Sequence, residues 1–268
     1  MKYLLKLSVL FTFLLFFLCF HTDEFVYIKS FPSNTTFLTS DMLGNFYIVQ
    51  NNSLSKYNEN GILVCSYDAK NKGTISSVDA SNPLKILVYY KDFNQIVFLD
   101  NTLTQTNSPI LLEELGISQS SLACTSYDNA FWIYDNTFSR LARFDNNLIL
   151  QNQSENLAQS LSSINPLFML EKNGHLFLND SSNKVIIFDK YGTFYKTIPI
   201  MQLNTFQVSD NKFFYCNKSS LHTIDLNTFE EAEIPSPINE PMFFQLNNTI
   251  LYIANKSEVF IYKTQKNK

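Results

Sequence analysis

The strongest constraint on this chain is a layout written six times along it. FYIVQNNSLSKYN (46–58), LVYYKDFNQIVFLD (87–100), FWIYDNTFSRLARFD (131–145), LFLNDSSNKVIIFD (176–189), FFYCNKSSLHTIDL (213–226) and LYIANKSEVFIYKT (251–264) each join a short apolar run to a second one through a polar break. The second run usually closes on an aromatic followed by Asp or Asn. Branched and aromatic side chains suit a pleated, half-buried surface, and Asn, Asp and Ser hydrogen-bond their own backbone at tight turns. Each segment therefore predicts strand, turn and strand.

With Tyr57, Phe98, Phe144, Phe188, Ile224 and Tyr262 taken as equivalent, the intervals are 41, 46, 44, 36 and 38 residues. A period near 40 with several short strands per unit is the signature of a β-propeller and not of a helical solenoid. A further strand precedes each unit, as in TFLTS (36–40) and MFFQL (242–246), and an outer strand follows in five units, as in ILVCSY (62–67). The sixth unit has only three, and its fourth is available as EFVYIKSF (24–31). Pairing there closes the ring and removes open edges that would template aggregation.

The expected fold is all-β: one domain over 24–268, a six-bladed β-propeller whose last blade is closed by the N-terminal strand. The layout resembles six-bladed propellers of the broad kind that includes the NHL-repeat family. The resemblance is architectural: the chain has 6 Gly and no WD or kelch signature, so no functional residue is carried over. An outer-membrane barrel needs strands of about 9 to 11 residues, longer than most runs here. A two-sheet sandwich has no long period.

Lys2 and Lys6 precede an apolar run over 7–20, LSVLFTFLLFFLCF. That is short for a bilayer span of about 20 residues and suits a secretory signal over 1–20, with a retained anchor as the alternative. Cys19 offers a lipidation site of the bacterial lipoprotein type, although Leu18 and Phe16 depart from that pattern. The expectation is an exported protein, periplasmic or outer-membrane-associated if bacterial, with membrane association through the N-terminus. Cys65, Cys124 and Cys216 fall in different units without a CxxC, and read as buried free thiols.

Lys plus Arg number 20 against 24 Asp plus Glu, and without Lys2 and Lys6 the net charge falls from −4 to −6. That balance excludes nucleic-acid binding as the main role. Asp92, Asp135 and Asp180 stand near the ends of second strands and read as turn caps. His21, His175 and His222 have no nucleophile or ligand set at a useful spacing, so no catalytic residue, metal site or cofactor is assigned. Trp132 reads as buried between blades in preference to a sugar-stacking platform. Asn-x-Ser/Thr sequons at Asn34, Asn51, Asn152, Asn179, Asn217, Asn247 and Asn255 are about as many as this Asn-rich composition produces by chance.

Two stretches read as helical, PILLEELGIS (109–118) and ENLAQSLSSI (155–164), both between units. They would decorate the face where blade-to-blade links meet, and Leu111, Leu112, Glu113 and Glu114 are the candidate partner-binding residues. The functional expectation is a non-catalytic binding or scaffolding protein of the cell envelope that presents loops to a protein partner. The alternative is a glycan-binding or glycan-processing propeller. The central channel discriminates them: convergent His, Asp and Glu favour the enzyme, and an apolar or Ser/Thr lining favours the scaffold.

Overall fold

Six antiparallel four-stranded sheets make up the structure, a computed structural model describing residues 25–68, 72–161, 164–181, 184–200, 203 and 205–265. The segment 1–20, with Cys19, lies outside the described residues, as does His21. Five sheets are continuous in sequence, spanning 37–68, 77–111, 120–153, 166–199 and 206–235. The sixth takes Phe243–Asn247, Ile250–Ala254 and Glu258–Thr264 in order, and its outer strand is Phe25–Pro32. The pairing runs from Phe25 opposite Thr264 to Pro32 opposite Glu258, with a bulge between Tyr27 and Lys29. The chain is thus a six-bladed β-propeller closed by its N-terminal strand.

Each blade packs both faces against neighbours, which is why most middle strands read as continuous apolar runs, although Ser53–Tyr57 and Ser220–Asp225 alternate. Ile86–Tyr90 and Gln95–Leu99 are buried at every position. The core is accordingly divided into six slabs, one per blade interface. At the closing interface Phe46 stacks on Tyr252 with centroids 4.3 Å apart and on Tyr57 at 5.1 Å. Phe31 of the closing strand adds a second stack on Tyr57 at 5.2 Å.

The Asp or Asn that ends each repeat has a structural task. Oδ1 of Asn58, Asp100, Asp145 and Asp189 accepts the backbone N–H groups two and four residues on, at 2.8–3.1 Å. The fourth residue of each turn, Gly61, Leu103, Leu148 or Gly192, has a positive φ. Asp225 caps a variant turn through Asn227 and Thr228. All five turns join a third strand to its outer strand. The sixth unit has no such turn, because its outer strand comes from the other end of the chain, and there Tyr262 is followed by Lys263. Aligning on the cap also corrects one equivalence: Leu99, not Phe98, precedes Asp100 and pairs with Ile86 at the start of the second strand.

The two expected helices are mostly something else. Ile110–Leu111 forms the short outer strand of blade 2, pairing with Gln95 and Ile96, and only Leu112–Leu115 turns as a 3₁₀ helix before Gly116 ends it at φ 79°. Filling the blade's outer position overrides the local helix propensity. In 155–164 the helix is Leu157–Ser160, capped by Asn156, whose Oδ1 accepts from the Gln159 N–H at 3.1 Å.

Candidate functional site

Antiparallel strand order fixes two faces. Turns from inner to second strand and from third to outer strand share one, here the turn face. Second-to-third turns and blade-to-blade links share the other, the link face. The six inner strands enclose a central channel of about 410 Å³. At its link end stand Phe37, Phe168, Phe206 and Phe243, with centroid separations of 5.0 Å for Phe168–Phe206 and 6.3 Å for Phe37 with each of Phe168 and Phe243. Blades 2 and 3 place Ser77 and Leu122 at the same register. That end is an apolar plug.

Toward the turn face the lining becomes polar, and it contains Asp41, Asp79 and Glu171. Asp41 accepts from the backbone of Leu43 and Asn45 and from Tyr47 Oη at 2.8–3.0 Å. Asp79 reaches blade 3, accepting from Thr125 N at 2.8 Å and Thr125 Oγ1 at 2.6 Å. Glu171 reaches back from blade 4 to blade 3, accepting from Trp132 Nε1 at 2.7 Å, Tyr127 N at 3.3 Å and Ser126 Oγ. Gln207 exchanges two bonds with the Leu246 backbone, joining blades 5 and 6. Ser40 donates to Gln245 Oε1 at 3.2 Å, joining blades 1 and 6. These groups form a polar collar that locks blades together, and each carboxylate is occupied by two or more donors.

A second cleft of about 430 Å³ opens beside the channel on the turn face, among blades 2, 3 and 4. Lys85 and Lys172 line it, and Arg143 lies behind Tyr127. Lys85 Nζ donates to Asn129 O at 2.5 Å and Asn146 Oδ1 at 2.7 Å, and burial lowers its pKa from the usual lysine value. The Arg143 guanidinium lies 3.9 Å from the Tyr127 ring centroid and donates to Ser126 Oγ and Tyr127 O.

The three aspartates singled out from the sequence do not converge. Asp92, in a turn just beyond its strand, accepts from Thr74 N at 3.2 Å. Asp135 pairs with Arg140 at 3.0 Å and caps Thr137, and Asp180 accepts from Asn165 N at 2.6 Å. His175 lies against Tyr195, and His222 stacks on Tyr215 at 4.6 Å with Nδ1 3.0 Å from Glu231 Oε1. Neither lines the channel. Trp132 is fully buried between blades 3 and 4. Cys124 and Cys216 are buried free thiols, with burial pushing Cys216 up to about 12, while Cys65 is only half-buried. Leu112 and Ile117 are buried, Leu115 packs against the same core, Leu111 is 43% exposed, and Glu113 and Glu114 are exposed. Among the described residues no group of three or more His, Cys, Asp or Glu is placed to hold a metal. The collar carboxylates escaped the sequence reading. Their only signal is position, at or just past the end of an inner strand.

No protein-family model matches the chain, and no characterised relative is found by sequence. Solved structures do match. A catalytically inactive virginiamycin B lyase from Staphylococcus aureus, with a histidine replaced by alanine and quinupristin present, aligns at TM-score 0.57 and 14% identity over 89% of this chain and 81% of that one. BamB from Moraxella catarrhalis aligns at 0.54 and 10% over 91% and 99%. The Neurospora crassa Pan2 WD40 domain aligns at 0.62 and 8% over 92% and 98%. Likeness at such identities is a likeness of fold, and it agrees with the strand order: the chain is a six-bladed β-propeller, similar in architecture to propellers of several unrelated roles.

Proposed function

We propose that this protein is an exported, non-catalytic binding or scaffolding propeller of the cell envelope that presents its loops to a protein partner. The observation that carries the reading is the collar: the channel's Asp41, Asp79 and Glu171 are engaged in holding turns and blades. A general acid or base needs an oxygen free to reach a substrate proton, and each of these carboxylates already accepts two or more hydrogen bonds from the protein. The lyase neighbour is inactive when one histidine is lost. Here His175 sits at the turn end of blade 4 and His222 on the third strand of blade 5, and neither lines the channel. The cleft with Tyr127, Asn129 and Lys172 favours the second reading, glycan binding, because an exposed ring among amide and hydroxyl groups suits a sugar.

The partner surface proposed from the sequence narrows to Leu111, Glu113 and Glu114, with Leu112 as their buried anchor. Crosslinked co-purification from membranes tests the reading, and failure to recover a stoichiometric partner overturns it. Leu111→Ser is expected to reduce recovery with melting unchanged. Leu112→Ser is expected to cost about 3 kcal/mol by cavity formation and burial of a hydroxyl. That lowers the melting temperature by roughly 6–12 °C at about 2–4 °C per kcal/mol. Full partner recovery by Leu111→Ser combined with Glu113→Lys and Glu114→Lys would remove this segment from the interface.

A further inference from the structure

We infer that the turn face of the propeller is a contact surface for a lipid bilayer. The inference rests on the sequence expectation of membrane association through the N-terminus, by a retained anchor or a lipidated Cys19, and it adds which face meets the lipid. The closing strand begins at Phe25, opposite Thr264, which is its turn-face end. Four residues, 21–24, separate Phe25 from the apolar run at 7–20. An extended chain covers at most about 3.6 Å per residue, so the turn face stays within roughly 20 Å of whatever holds Phe20 or Cys19. The link face is then on the far side of the ring.

The turn face also carries more of the exposed apolar tips than the link face, where Phe93 and Phe138 stand exposed. Three turns of the capped type carry polar tips, Glu59 and Asn60, Asn101 and Thr102, Asn146 and Asn147, whereas the Asp189 turn carries Tyr191, 54% exposed, and the Asp225 turn Phe229, 52% exposed. The Asp41 turn of blade 1 has the same capping bonds, yet its tip is Met42 and Leu43, 72% and 67% exposed. The next blade's inner turn adds Leu84 at 69%. Ile62, on the blade 1 turn that Lys29 of the closing strand grips through Gly61 O, and Tyr27 of the closing strand itself are exposed beside them. These are separate tips on the turn face of blades 1, 2 and 6, the last of which holds the closing strand. They form no groove for a peptide, and separate tips suit shallow insertion into a bilayer, where aromatic rings such as Tyr27 settle at the headgroup level. The same turns carry Asp100, Asp145, Asp189 and Asp225 as well as lysines, so the attraction is apolar and does not depend on anionic lipid.

The test uses the full chain with neutral phosphatidylcholine vesicles, some made with brominated lipid as a contact quencher. Leu43→Trp and, on the link face, Phe93→Trp place reporters at exposed positions, and the native Trp132 is a buried, constant background. The expected result is flotation with the vesicles at low and high salt and at least threefold greater quenching at position 43 than at 93. Flotation with equal quenching at both positions would overturn the orientation while leaving membrane attachment intact. Absence from the vesicle fraction would overturn the attachment and the inference together. A concentration-dependent increase in mass with neither reporter quenched would assign the apolar tips to a second copy of the chain instead.

Discussion

Deletion of residues 24–31 is expected to lower the melting temperature by roughly 10–20 °C and to make the protein aggregate. The side chains of the closing strand are half exposed, so little of the effect comes from lost apolar burial. It comes from the ladder and from closure. Six of the seven register pairs with Glu258–Thr264 disappear, and that strand becomes an open edge. The deletion also removes the Phe31–Tyr57 stack and the Lys29 bond to Gly61 O at 3.0 Å, which tie blade 6 to blade 1. At about 1 kcal/mol net per hydrogen bond, less the entropy regained by the released strand, the loss is about 5 kcal/mol. In a chain of this size each kcal/mol moves melting by about 2–4 °C. Scanning fluorimetry and light scattering read both effects. A peptide of sequence EFVYIKSF added in trans is expected to restore part of the stability, and unchanged melting of the deletion variant would show that the ring does not depend on this closure.

The fold was legible because two of its physical requirements leave sequence marks. Strands buried on both faces must be apolar throughout, as Ile86–Tyr90 is, and turns that cross from third to outer strand need an acceptor for their inward N–H groups, as Asp145 and Asp189 supply. The second mark is the sharper one. Phe98 is aromatic like its supposed equivalents but one residue out of register, whereas Asp100 holds the cap position. Sequons such as Asn217-Lys-Ser and Asn255-Lys-Ser resolve the same way, as side-chain caps of second-to-third turns. The collar was not legible, because Asp79 meets Thr125 and Glu171 meets Trp132 across a blade boundary, 46 and 39 residues away in sequence. Local pattern has no access to such contacts. The segment 109–118 misled for a related reason: its apolar spacing fits a helix, but the vacancy it fills is the outer edge of blade 2.

The collar and the interblade core meet at one residue, which makes Trp132→Ala the second large effect. Its ring has no exposed surface and packs with Met169, Leu176, Leu178 and Phe188 across the interface of blades 3 and 4. An ideal Cβ on Gly192 would lie 3.3 Å from its Cη2, so even the neighbouring turn is shaped around the indole. Truncation leaves a cavity and takes one of three donors from Glu171. A buried Trp→Ala change costs about 3–5 kcal/mol, and the melting temperature is expected to fall by roughly 6–20 °C. Trp132→Phe keeps a flat ring in the core while removing the N–H and three ring atoms, so its cost is about 2 kcal/mol, below that of the alanine variant. Both variants lose the N–H, so the difference between them reports the packing of the ring. Because this is the chain's one Trp, its fluorescence reads the site directly: the native emission should be blue-shifted and shielded from acrylamide. If Trp132 were a sugar-stacking platform, emission would be red-shifted and quenchable, and Trp132→Ala would leave melting where it was.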